Sequence, residues 1–208
     1  MGTSFASIHV IDSNISSVEI RLANCQHTSN SLLSSHIKEI SKSKKLDVDL
    51  NELFDFLTAF RSFRQPTVSF YSRQTGKNVS IFSDYFAFEN ISEIAQEYFK
   101  DMPNIVIAIG LLDSSILNVS FLKKGKILTS LIKGIHSNVS DFTPRNLNIQ
   151  ALQKHFSISK EQLDFLLQHS DLEEICDYLS DIFKLPMNIG INSIDTKDSL
   201  VHRCDFIL

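Results

Sequence analysis

Two short fragments of this chain carry metal-ligand chemistry. Cys25-x-His27 and His202-x-Cys204 each place a thiol one residue away from an imidazole. If the end of the chain packs beside its second element, these four side chains would form a Cys2His2 set of the kind that holds zinc tetrahedrally. The plainer reading makes Cys25 and Cys204 small buried hydrophobes and leaves the histidines on the surface. It is the preferred one, and no metal or other cofactor is expected.

Acid–base chemistry has its own candidates. Asp84 and Asp113 each follow a β-rich stretch, and His136 comes just after the last of those stretches. Strand ends hold many catalytic carboxylates, and a nearby imidazole would supply the proton carrier. Turn formation explains the same aspartates, because Asp113-Ser114-Ser115 has the side chains that bond nearby backbone. The turn reading is preferred for both. A Ser/His/Asp or Cys/His site stays open, since such groups converge in space and not in sequence.

Several standard machineries are absent from the sequence. The chain has six glycines, at 2, 76, 110, 125, 134 and 190, and no GxGxxG or P-loop spacing is built from them. Neither a GxSxG nucleophile elbow, an HExxH zinc pair nor a calcium-loop pattern occurs. The residues best suited to recognition are of a different kind. Phe56 and Phe63 fall off the main apolar stripe of a helix expected over 48–64, which is therefore apolar on more than one side. Glu173, Glu174 and Asp177 begin an acidic helix near the other end. Together they suit a partner surface, with the acids steering a basic protein and the rings supplying contact area.

These residues are positioned by elements whose patterns alternate between strand and helix. Residues 5–11 read as a strand and 17–22 (SVEIRL) as a second, joined by Asp12-Ser13-Asn14 into a hairpin. A short helix is expected near 31–42, and the cluster Lys38, Lys42, Lys44 and Lys45 reads as a solvated helix face or a mobile loop. The 48–64 helix starts with Asp49 and Glu52 in a capping-box arrangement and stops at Pro66. Residues 67–72 and 78–83 form a hairpin across Gln74-Thr75-Gly76-Lys77. Asn90 with Glu93 opens a helix that Pro103 closes. Residues 104–133 read as a three-stranded meander, because its turns are too short for parallel crossovers. Its first strand lacks polar alternation and should be central. Helices follow over 148–156, 160–169 and 172–184, and 199–208 adds a last strand.

Composition supports one globular chain. Apolar residues make up 43% and charged residues 21%, which argues against global disorder. Sixteen phenylalanines and no tryptophan point to a Phe-rich core. Three unpaired-looking cysteines fit a reducing compartment. No basic stretch leads into an apolar run at the start, and no apolar run approaches the length of a membrane span. Met1-Gly2 resembles an acylation site, but Ala6 stands where Ser or Thr is required. Residues 157–186 carry seven acids against Lys160 and Lys184, so phosphate binding by these helices is disfavoured.

The expectation is an α+β fold. An antiparallel sheet of hairpins and a meander is covered by helices, with a small C-terminal helical subdomain. Residues 1–134 form the α+β domain, and 135–208 form an acidic, mainly helical region packed on it. The expected role is a cytoplasmic, non-enzymatic protein-binding or regulatory module, of bacterial antitoxin-like or immunity-like character. It would use a protein partner or self-association and bind neither nucleic acid nor membrane. The alternatives are a small enzyme with a pocket beside the 104–133 meander and, third, a small zinc-binding protein.

Overall fold

Residues 105–112 (IVIAIGLL) include no polar side chain, so a strand made from them needs cover on both faces. A computed structural model, which describes residues 3–23, 67–134, 147–156 and 158–207, places this strand, β4 (Ile105–Leu112), inside a seven-stranded sheet. The other strands are β1 (Phe5–Val10), β2 (Thr67–Thr75), β3 (Asn78–Phe82), β5 (Ile116–Lys123), β6 (Lys126–Gly134) and β7 (Val201–Ile207). Their order across the sheet is β6-β5-β4-β1-β3-β2-β7, and every neighbouring pair is antiparallel. The fold is therefore α+β, and the meander β4-β5-β6 forms one side of the sheet. The last strand of the chain pairs with β2 at the opposite edge.

Side chains alternate across a strand, and here the alternation divides the core into two. Val106 and Ala108 of β4 pack with Ile8 and Val10 of β1 on one face. That face is covered by α1 (residues 15–23) and α2 (Ile91–Tyr98) through Val18, Leu22, Ile91 and Ala95. Ile107 and Ile109 of β4 pack with Val119 and Phe121 of β5 on the other face. That face is covered by α3 (Ile149–His155), α4 (Lys160–Gln168) and α5 (Leu172–Phe183) through Leu152, Leu163, Leu166, Ile175 and Leu179. Each fully buried aliphatic side chain contributes roughly 1.5–3 kcal/mol of transfer free energy, so both helical layers are anchored by apolar area. Among the described residues, no helix is long and apolar enough to cross a membrane.

The expected second strand at 17–22 is instead the helix α1. The Asn14 side-chain carbonyl accepts from the Ser17 N–H at 2.9 Å, and its backbone carbonyl accepts from Val18 at 3.2 Å. Val18 and Leu22, one helical turn apart, are buried, whereas Ile20 between them is 60% exposed. The alternation in SVEIRL thus coincides with a helical stripe, and β1 pairs with β3 and β4 instead of a neighbour in sequence. The capping box at Asn90 is also not made. Asn90 Oδ1 accepts from Ala87 N at 2.9 Å and leaves the first turn of α2 uncapped by that side chain. The helix has already ended at Tyr98, ahead of Pro103. The expected helices at 31–42 and 48–64 lie outside the described residues.

Turn chemistry sets the strand register. β2 runs through Thr75, so the hairpin turn is Gly76-Lys77, with Gly76 at φ +58°. Gln74 is a strand residue whose Nε2 donates to Ser13 O at 3.0 Å and to Gly76 O at 2.9 Å, tying the α1 approach to the hairpin. The β5–β6 turn has Lys124 at φ +51° and Gly125 at φ +67°, the pair of positive φ angles of a type I′ hairpin. A Cβ on Gly125 would stand 2.6 Å from Lys100 Cα and 2.7 Å from Gln96 O. Gly125→Ala is therefore expected to lower stability by about 2 kcal/mol or more, through both dihedral strain and the clash with the end of α2. A urea titration reads it, and a variant as stable as wild type would contradict this packing.

Candidate functional site

The three C-terminal helices are each started by a side chain. Asn148 Oδ1 accepts from Ala151 N at 3.1 Å, and Ser159 with Gln162 makes a full capping box. Asp171 Oδ1 accepts from Glu173 N at 2.9 Å and Glu174 N at 3.1 Å. α5 then turns Leu172, Ile175, Cys176 and Leu179 into the core. The opposite stripe presents Glu173, Glu174, Asp177 and Asp181 to solvent, with no lysine or arginine within the helix. The first-turn acids also complement the positive end of the helix dipole.

Several contacts hold this acidic layer rigidly on the meander. Lys133 of β6 reaches the C-terminal end of α4, where its Nζ donates to Leu167 O at 2.8 Å, to Leu166 O at 3.3 Å and to His169 O. Partial burial lowers the Lys133 pKa, yet the three carbonyls keep its role as a C-terminal cap clear. His169 stacks on Phe165 at 4.5 Å between ring centroids, and its Nε2 lies 2.5 Å from Glu174 Oε2. The Ser114 hydroxyl donates to Glu173, and Asn188 Nδ2 donates to Asp177 Oδ1 at 2.7 Å. The acids are thus oriented as well as exposed.

A groove opens at the end of the sheet where β1 finishes, β4 begins and β5 finishes. It encloses about 670 Å³ between the sheet end and the helices α3 and α5. Phe156, Ile158, Ile182 and Phe183 form its apolar side, and Lys123, Lys154, His155 and Asp12 supply the polar groups. This is a pocket beside the 104–133 meander, but neither Asp84 nor Asp113 lines it. Asp84 lines a smaller hollow of about 400 Å³, in company with Phe86, Leu112, Asn188 and Gly190. Asp113 builds the β4–β5 turn at φ +49°: its N–H donates to the Ser4 hydroxyl at 2.8 Å and its carbonyl accepts from Ser115 Oγ at 2.8 Å. His136, Phe56, Phe63, Cys25 and His27 lie outside the described residues.

The remaining fragment, His202 and Cys204, lies on β7 and faces α1. His202 Nδ1 is 3.6 Å from Glu19 Oε1. Burial first, and the neighbouring Glu19 next, push the Cys204 thiol up to about 11. A thiol held protonated is a poor ligand and a poor nucleophile at neutral pH. Cys176 is pushed up to about 12, chiefly by burial and further by Asp177, Glu173 and Asp171. Among the described residues, no group of three or more His, Cys, Asp or Glu side chains is arranged to hold a metal ion.

Sequence reasoning missed Glu19 as the neighbour of His202, because the alternation in SVEIRL fits a strand as well as a helix. It also missed the groove cations, which arrive from separate elements and share no spacing. His9 lies within the strand expected at 5–11 and carries no motif of its own. The strand alternation that puts Ser7 and His9 on one face was the available signal. No family model matches the chain, and no curated protein or solved structure matches it either.

Proposed function

We propose that the protein is a non-enzymatic binding module that engages a basic partner protein through the outer face of α5. The observation that carries this reading is the unbroken carboxylate stripe Glu173, Glu174, Asp177 and Asp181, exposed on a helix whose other side is fixed in the core. Four like charges on one face raise the encounter rate with a cationic surface and repel phosphates, so a protein partner fits and a nucleic acid does not. An antitoxin-like or immunity-like role is one form such docking takes. Both described cysteines are free thiols, which supports a reducing, cytoplasmic setting.

The test compares wild type with the Glu173→Lys/Glu174→Lys/Asp177→Lys variant as immobilised baits in native lysate. Wild type is expected to retain a basic protein that salt elutes, and the variant to retain at most about a tenth as much. The variant loses the first-turn dipole complement and the contacts with Ser114, His169 and Asn188, so its melting temperature should fall by a few degrees, and capture is compared below the onset of unfolding of both baits. Equal capture by the two folded baits would overturn the reading.

A further inference from the structure

We infer that the groove between the sheet end and helices α3 and α5 is a binding site for a small amphipathic anion: an apolar or aromatic body carrying one carboxylate, phosphate or sulfonate group. This goes beyond protein docking and uses a different part of the surface. The volume, about 670 Å³, lies in the range that accepts a metabolite-sized ligand.

The apolar half of the site is preformed. Phe156 and Phe183 meet edge to face at 4.9 Å, and each rests on the buried Phe121 ring, at 5.7 and 5.9 Å. Both rings are only partly buried and line the groove, so each offers a face to a guest while its back is held. The rim is also fixed. Asn104 Nδ2 donates to Ile11 O at 3.0 Å and to Asp12 O at 2.6 Å, and the Asp12 N–H donates to Asn78 Oδ1 at 3.1 Å. A guest entering here would order few protein groups, which lowers the entropic cost of binding.

The polar half selects charge. Two lysines, Lys123 and Lys154, and one aspartate, Asp12, line the groove, giving a local excess of positive charge in a chain of net charge −4. His155 adds an imidazole that can donate or accept. Lys154 and His155 also sit in the last turn of α3, where cations complement the helix dipole. That role does not account for Lys123, which lines the groove from the end of β5. Nor is α3 long, at seven residues, and its cap N–H at Phe156 is already bonded to Leu152 O at 2.7 Å. Cations from two separate elements beside an aromatic pair suit a ligand that is greasy at one end and anionic at the other.

Anilinonaphthalenesulfonate combines an aromatic body with a single anionic group and serves as the probe. The full chain is titrated with it by fluorescence, and the site is mapped by amide shift changes. Saturable binding at one site is expected, with the largest shifts at Asn104, Phe156 and Phe183. Lys123→Met/Lys154→Met should weaken it about tenfold or more while melting as wild type does. Competition by octanoate against phenyl phosphate then tells a carboxylate guest from a phosphate guest, and inorganic phosphate alone should not compete. The proposal is overturned by non-saturable binding, by shifts confined to other surfaces, by unchanged affinity in the double-lysine variant, or by inorganic phosphate competing as well as the aryl phosphate. Neither lysine lies on the carboxylate stripe of α5, so a failure here leaves the docking reading to its own test.

Discussion

Acidification below about pH 6.5 is expected to destabilise the protein by roughly 1.4 kcal/mol per pH unit through one side chain, His9. His9 is fully buried at the centre of the sheet, in register with Ser80 of β3 and Ile107 of β4. Its Nε2 is 2.9 Å from Ser7 Oγ and its Nδ1 is 2.9 Å from Ser80 Oγ, with the Phe82 ring edge-on at 6.2 Å. A neutral imidazole has one donor and one acceptor nitrogen, and a serine hydroxyl can play either part, so the Ser–His–Ser chain is satisfied without a charge. None of these partners is an acid that would stabilise the imidazolium. Burial accordingly pushes the His9 pKa down from its ordinary value near 6.5 to about 3.

The direction follows from proton counting. Between about pH 6.5 and pH 3 the unfolded chain binds a proton at this position and the folded chain does not. Stability from His9 is complete above pH 6.5 and declines as pH falls through that window. Urea titrations of wild type and His9→Gln across the window isolate it. The variant should be less stable at neutral pH by about 2 kcal/mol, for its imperfect hydrogen bonds, but should take up about one proton fewer on unfolding in acid. Identical pH slopes for the two proteins would show that His9 is not held neutral. The same burial removes His9 and its serines from the list of catalytic groups, because substrate cannot reach them.

Phe121→Ala should cost about 3–5 kcal/mol, in the range for truncating a fully buried ring. Phe121 is 1% exposed and carries the Phe156 and Phe183 rings. It belongs to the cluster between the sheet and α3–α5, whereas Val18, Ile91 and Phe99 belong to the cluster on the opposite face. The effect should therefore be directional. Hydrogen exchange is expected to accelerate first in α3 and α5, while the amides of β1 and β3 keep more of their protection. Uniform acceleration throughout the sheet would mean that the two faces do not open separately.

Much of this architecture is legible in the residues themselves. The unbroken apolar run of β4 and the short turns on either side of β5 specify a central strand and a meander. Ser159 with Gln162 and Asp171 with Glu174 mark helix starts that the structure reproduces, and the acid stripe of α5 follows from helical spacing. α1 was not legible because SVEIRL satisfies a two-residue and a four-residue period at once. Only tertiary cover over Val18 and Leu22, with Asn14 as cap, decides between them. The groove was not legible because Asp12, Lys123 and Lys154 come from three elements and meet only after β1 pairs with β4 across a long stretch of chain. Of the residues expected at a partner surface, Glu173, Glu174 and Asp177 share one exposed helical face.

The most direct test is the affinity of the captured partner for wild type and for the α5 charge-reversal variant, measured across a series of salt concentrations. Steering by the carboxylate stripe predicts that wild-type affinity falls steadily as salt rises and that the reversed helix binds weakly at every concentration. A partner that holds equally well to both proteins and ignores salt would contradict it.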